Sequence, residues 1–191
     1  MKIRFTLAFV LFLFCLNPVR AQNYLGFQLN SVYGFESDHL KIFNNDLELH
    51  ASYGYQFFAF YSYRFKKQKL EPKFALGWKY LQFEGEFDEQ AIFGNTYKLS
   101  ILSGLDYRVH KKWIVGLDFI IENNLDFELF RAANSDLLRY NIQPRISYKL
   151  SKKCMASLGF SKVLYPRVNH FLIANPSNQF NLGLAYKPFK L

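Results

Sequence analysis

Cysteine is almost missing from this chain of 191 residues, which holds two. Cys15 lies in the apolar N-terminal stretch, so Cys154 is alone in the remainder, and one thiol closes no intramolecular disulfide. Long hydrophobic runs are missing as well: half the residues are apolar, yet beyond residue 21 nothing approaches the ~18 consecutive apolar residues of a spanning helix. Acid is scarce, with 15 Asp and Glu against 24 Lys and Arg. His39, His50, His110 and His170 are far apart, and none has a cysteine or a second histidine at ligand spacing, so no metal site is expected. There is no phosphate-binding glycine loop and no GxSxG. The common soluble enzyme classes fall away with these motifs, and no cofactor is expected.

The N-terminus sets the compartment. Met1 to Arg4 is short and basic, Phe5 to Leu16 is apolar except for Thr6, and Val19-Arg20-Ala21 is a small-residue cleavage pattern. This reads as a secretory signal peptide over residues 1–21, too short to span a bilayer. Phe12-Leu13-Phe14 is too bulky for lipoprotein processing at Cys15. Residues 22–191, 170 after the first 21 are removed, make one domain. The formal charge of +9 falls to +6 without Lys2, Arg4 and Arg20. An exported chain seldom meets nucleic acid, and none is expected as a partner.

What the chain does have is alternation. From Leu47 to Phe65 the odd positions (Leu47, Leu49, Ala51, Tyr53, Tyr55, Phe57, Ala59, Tyr61, Tyr63, Phe65) are all apolar or aromatic, while the even ones include Glu48, His50, Ser52, Gly54, Gln56, Ser62 and Arg64. A period of two is that of a strand with one greasy and one polar face. Seven more segments alternate: Asn23–Ser31, a run opened by Pro72, Thr96–Val109, Trp113–Ile121, Leu137–Leu150, Ala156–Ser161 and Gln179–Phe189. Pro144 falls inside the sixth strand and predicts a bulge there. The connections alternate long and short, with long ones expected at Tyr33–Asp46, Glu84–Asn95, Glu122–Asp136 and Tyr165–Asn178. This predicts an all-β fold: an eight-stranded antiparallel up-and-down transmembrane β-barrel with short periplasmic turns and long extracellular loops. The long second strand is expected to project past the bilayer as one piece.

Three regularities agree. Gly26, Gly54, Gly77, Gly104, Gly116, Gly159 and Gly183 all fall on the polar face, where missing side chains make room for large ones in a narrow interior. The short turns carry Lys66, Lys67, Lys69, Lys111, Lys112, Lys152 and Lys153, suited to phosphates of outer-membrane lipids, whereas the first three long loops are net acidic. Tyr61, Tyr63, Phe65, Phe74, Tyr107, Trp113, Tyr148 and Tyr186 gather at turn-side strand ends as an interfacial girdle. Together these resemble the small outer-membrane barrels of Gram-negative bacteria, the OmpA/OmpX-like superfamily. The resemblance spans residues 22–191, is one of architecture, and implies an integral protein of the bacterial outer membrane.

The candidate functional residues are the ionisable groups assigned to the polar face: Glu48, His50, Arg64, Lys79, Lys98, Asp106, Arg108, Asp118, Arg139, Arg145 and Lys149. They can line a narrow pore or plug the lumen by pairing, and an eight-stranded interior favours the plug. Asp106 or Asp118 is expected to pair with Arg139 or Arg145. His50 and Ser52, with Glu48 as acid, resemble the His-x-Ser pair of outer-membrane lipid deacylases, but the phasing turns them to the lumen, away from lipid. A non-enzymatic structural or recognition role is therefore expected. The loops carry Leu40, Ile42 and Phe43, then Phe87, Ile92 and Phe93, then Phe127, Leu129 and Phe130, then Phe171, Leu172 and Ile173. These groups can cap one another or dock another envelope protein.

Overall fold

Strict alternation carries every element of the structure, a computed structural model that describes residues 21–34, 39–42, 45–65, 69–87, 90–124, 138–164 and 178–190. The strands are β1 (Ala21–Gly34), β2 (His39–Ile42), β3 (Asn45–Phe65), β4 (Leu70–Phe87), β5 (Gln90–Arg108), β6 (Trp113–Asn124), β7 (Leu138–Lys149), β8 (Cys154–Val163) and β9 (Asn178–Lys190). Each pairs antiparallel with its neighbour in sequence, except that β1 pairs with both β3 and β9 and so closes the ring. Eight strands form the barrel, and β2 is a short addition folded back on the start of β3, from His39↔Glu48 to Ile42↔Asn45. Closure leaves no barrel strand with an open edge along its full length, the condition for strands to lie in lipid.

The polarity is inverted relative to a soluble protein. Leu29, Leu76, Leu117, Leu158, Leu182 and Leu184 are each at least half exposed on the outer wall, while Lys98, Asp118 and Ser100 are fully buried inside. Two aromatic rings border the apolar wall. On the turn side Trp113 packs edge-on against Tyr148 at 4.9 Å, and Lys69 and Lys112 lie over Tyr107 and Tyr148. Towards the other end Tyr80 is 5.2 Å from both Tyr55 and Tyr97, and Trp78 stacks on Tyr97. On β5, Tyr97 and Tyr107 are ten residues apart. That is ~33 Å along a strand, or about 25 Å of height at a tilt of ~40°, the thickness of the apolar band of such barrels.

The strands end level on the turn side and unevenly on the other. β6, β7 and β8 have 12, 12 and 10 residues, close to the ~9 to 11 that cross a bilayer. β3, β4 and β5 have 21, 18 and 19. Since β5 meets β6 only from Lys98↔Asn124 downwards, the surplus lies entirely at the end away from the turns. The long β3 is one strand, as its alternation requires. The long loop expected over Glu84–Asn95 is instead a hairpin whose rungs run to Phe87↔Gln90. Its acidic residues read as loop because charge was taken for a break in the sheet, whereas a strand standing clear of lipid tolerates charge on both faces. The loop expected over Tyr33–Asp46 likewise contains β2.

The bulge expected at Pro144 is absent. β7 stays in register with β6 through Leu117↔Pro144, and with β8 from Asn141↔Val163 to Arg145↔Gly159, where only the rungs of Gln143 and Pro144 are missing. A proline lacks one N–H and so weakens one ladder; here the vacancy falls on the β8 side and no extra residue is needed. Register shifts occur elsewhere, between Leu25 and Phe27 against β9 and between Leu49 and Ala51 against β4. The second places His50 as the inserted residue.

The interior is not polar throughout. Phe58, Phe60, Leu102, Ile114, Ile120 and Met155 form a buried apolar cluster on the inner face. Phe58 and Phe60 share the even parity of Gln56 and Ser62 and sit where glycines make room. A Cβ on Gly77 would collide with the Phe58 ring, and one on Gly26 would lie 2.6 Å from Phe60 Cζ. The seven glycines assigned to the polar face, Gly26, Gly54, Gly77, Gly104, Gly116, Gly159 and Gly183, keep the phase of the inner wall.

Candidate functional site

The lumen concentrates the charged chemistry of the described residues, in three tiers. At the turn-side mouth Glu71 on β4 is the acceptor for Ser62 at 2.7 Å, for Arg64 through Nε at 2.8 Å and Nη2 at 2.5 Å, and for the Lys187 ammonium. Arg64 also donates to the Tyr24 hydroxyl at 3.2 Å and lies 4.8 Å over its ring. Lys187 lies over the rings of Tyr24 and Phe60.

The middle tier is built around Asp118. Its carboxylate accepts from Lys73 Nζ at 3.2 Å and Arg145 Nε at 3.0 Å, while Arg145 Nη2 donates to Asp106 at 2.5 Å and Nη1 to Ser147 at 2.7 Å. Two cations meet two carboxylates, so this tier is neutral. Glycine makes the arrangement possible. A Cβ on Gly104 would strike the Asp118 carboxylate, and one on Gly116 would stand 2.5 Å from Asp106 and 2.8 Å from Arg145.

In the third tier Glu122 accepts from Lys79 at 2.8 Å, and Lys98 is its more distant partner at 3.7 Å. Lys79 also donates to Gln179 at 2.6 Å. Arg139 is the cross-strand neighbour of Glu122. The three tiers and the apolar cluster draw on the inner faces of β3 to β9. An unpaired charge in such an interior would cost several kcal/mol, and the carboxylates accordingly each have at least one cation within ion-pair distance.

The structure buries Lys79, Lys98, Asp106, Asp118, Arg139 and Arg145 on the inner wall, and it half-buries Arg64, Arg108 and Lys149 at the turn-side mouth. Arg145 is the partner of both Asp106 and Asp118; Arg139 pairs across to Glu122 instead, because β7 places it six residues further from the turns. The side chains of Glu48, His50 and Ser52 lie outside the described residues, as do those of Leu40, Ile42, Phe43, Phe87, Ile92 and Phe93, together with residues 1–20, Lys66, Lys67, Phe127, Leu129, Phe130, Phe171, Leu172 and Ile173. Sequence reasoning missed Glu71, Lys73, Glu122 and Lys187. Parity was the available signal: Glu71 and Lys73 alternate in phase with Lys79, and Glu122 with Asp118.

No protein-family model matches the sequence, and no curated protein matches it. Among solved structures the chain is similar to a de novo designed transmembrane β-barrel, with 13% identity and a TM-score of 0.39 over 85% of this chain and 94% of that one. It is also similar to the translocator domain of the autotransporter NalP from Neisseria meningitidis (8%, 0.33, 97% and 95%) and to the KdgM porin in complex with disordered oligogalacturonate (15%, 0.31, 88% and 99%). Scores at this level carry no argument about function, which rests on the residues themselves. What those residues form is a closed transmembrane β-barrel with a charged interior.

Proposed function

We propose that this protein is an integral, non-enzymatic barrel of the bacterial outer membrane, of the OmpA/OmpX-like kind, whose lumen is shut and whose work is done by what it holds above the bilayer. The observation that carries the closed lumen is the middle tier. Lys73, Asp106, Asp118 and Arg145 come from four adjacent strands and bond one another inside the lumen, so that the charges at this level are held in pairs. In favour of a structural or recognition role, β3, β4 and β5 overhang the ~11 residues needed to cross by about seven to ten residues each. At ~3.3 Å per residue that is roughly 25 Å of sheet beyond the lipid, a platform for contact with another envelope protein. Its lipid partners would be those of the outer membrane, met by the basic turns at the periplasmic leaflet.

Reconstitution in planar bilayers tests the closed lumen. Steady single-channel conductance in wild-type protein, lost on blocking a charged lumen, would replace the plug by a pore. Silence in wild type together with appearance of conductance in an Asp106→Ala/Asp118→Ala/Arg145→Ala variant would support it. For the enzymatic alternative, a change in membrane lipid acylation between wild type and His50→Ala would require a catalytic role, which the proposed role excludes.

A further inference from the structure

We infer that the turn-side mouth of the lumen binds an oxyanion of the phosphate or carboxylate type. Four cations converge there from alternate strands: Arg64 on β3, Arg108 on β5, Lys149 on β7 and Lys187 on β9. Among the described residues they share one carboxylate at the mouth itself, Glu71 on β4. Glu71 is fully engaged by Arg64, Lys187 and Ser62 on its own side of the mouth. Asp106, two residues from Arg108 on the same face, is taken by Arg145 at 2.5 Å.

Among the described residues, the other half of the mouth therefore has cations without an acceptor. Arg108 Nε is buried with no hydrogen-bond partner. Lys149 lies in the repulsive field of Arg108, Arg64 and Lys187, with Glu71 as an opposing charge. Half-enclosed like charges with unfilled donors are costly unless an anion joins them. A guanidinium fork beside an ammonium is the donor set that fits a phosphate or carboxylate, whose oxygens take two parallel N–H bonds from the fork and a third from the lysine. Arg108 and Lys149 are both partly exposed, so an anion can reach them. The exposed turn lysines Lys69, Lys111, Lys112, Lys152 and Lys153 surround the entrance and raise the local anion concentration. This inference does not depend on the lumen being closed further up.

The test uses the full mature barrel. Folded in a phosphate-free neutral detergent, it is titrated with inorganic phosphate by calorimetry, with chloride as the control. Folded in phosphatidylcholine bilayers with and without phosphatidic acid, its urea midpoint is measured. Saturable phosphate binding that is at least about tenfold weaker in Arg108→Gln/Lys149→Gln, and unchanged in Lys111→Gln/Lys112→Gln, supports a site for a free oxyanion. Stabilisation by phosphatidic acid alone, lost in the same double variant, supports the same site filled by a lipid headgroup. Binding equally strong in both variants assigns it to the general basic surface and overturns the inference, as does no response to either probe. Should the double variant fail to fold, wild type decides: stabilisation by phosphate that chloride does not reproduce supports the site, and its absence removes it.

Discussion

Replacing Asp118 by Asn tests the middle tier with the smallest change of shape available. The carboxylate is wholly inaccessible and is bonded by Lys73 at 3.2 Å and by Arg145 at 3.0 and 3.4 Å. Asn keeps the volume but removes the charge, so a neutral group of two cations and two carboxylates becomes one of net +1, and an NH2 is turned towards ammonium and guanidinium donors. Breaking a buried pair by removing one member costs ~3 to 5 kcal/mol. Arg145 retains Asp106 at 2.5 Å, so the loss falls at the lower end, about 3 kcal/mol, most of it from stranded Lys73. Lys73→Met alone leaves the tier at net −1 with Asp118 still held by Arg145, and should also destabilise, by no more than that amount. The double variant Lys73→Met/Asp118→Asn is neutral again and should fall within about 1 kcal/mol of wild type. Equilibrium urea unfolding in lipid vesicles, followed by the fluorescence of Trp78 and Trp113 and by heat-modifiable gel mobility, measures all four proteins. If the double variant loses the sum of the single losses, or if Asp118→Asn changes nothing beyond about 0.5 kcal/mol, the pairing argument is refuted.

Three further outcomes follow from the same geometry. Gly116→Val would push a methyl group between Asp106 and Arg145 and should cost at least the ~1 to 3 kcal/mol of an overpacked core, read as a lower urea midpoint, while Gly183→Ala offers a milder comparison. Leu117→Arg puts charge on the outer wall near mid-strand, beside Leu105 and Pro144, and should cost about 2 to 4 kcal/mol in vesicles; insensitivity would mean that this wall does not face lipid. Excising Glu84–Phe93 and joining Phe83 to Gly94, which are cross-strand partners, through an Asn-Gly turn should leave the barrel folded, with the difference in gel mobility between heated and unheated samples retained, since the removed rungs lie beyond the bilayer.

The barrel was legible because period-two alternation has few other meanings at this length, and because glycine parity tied the polar face to a narrow interior. Charge misled in two ways, both traceable to one assumption. The stretch from Glu84 reads as loop although β4 continues through Glu84 and Glu86, and Glu71 and Glu122 read as turn and loop although they are the hubs of two luminal tiers. Acidic residues near a strand end can belong to the strand, and their parity with Lys79 or Asp118 was the better guide than their sign. Phe58 and Phe60 escaped notice for the reverse reason: an apolar residue on the polar face looks like noise until the glycine opposite shows that a ring is filling its space. Pairing partners could be narrowed only to alternatives, Asp106 or Asp118 with Arg139 or Arg145, since a register shift of one residue, such as that at His50, changes every neighbour beyond it.

Pairing inside the lumen follows burial, and one residue tests whether each charge is there for stability. Lys98 is completely inaccessible, yet its Nζ makes no hydrogen bond and its nearest carboxylate oxygen is 3.7 Å away. Glu122, that carboxylate's owner, is already held by Lys79 at 2.8 Å with Arg139 opposite. A third cation therefore adds desolvation without a bond to offset it. Lys98→Met, which keeps the length of the chain and drops the charge, should be neutral or stabilising by about 1 kcal/mol or more. Lys79→Met, at the same depth but with bonds to both Glu122 and Gln179, should lose about 3 kcal/mol. Urea midpoints in the same vesicles compare the two. Equal losses would mean that the lumen holds Lys98 by an interaction of the same strength, and that the third tier is organised around three cations instead of two.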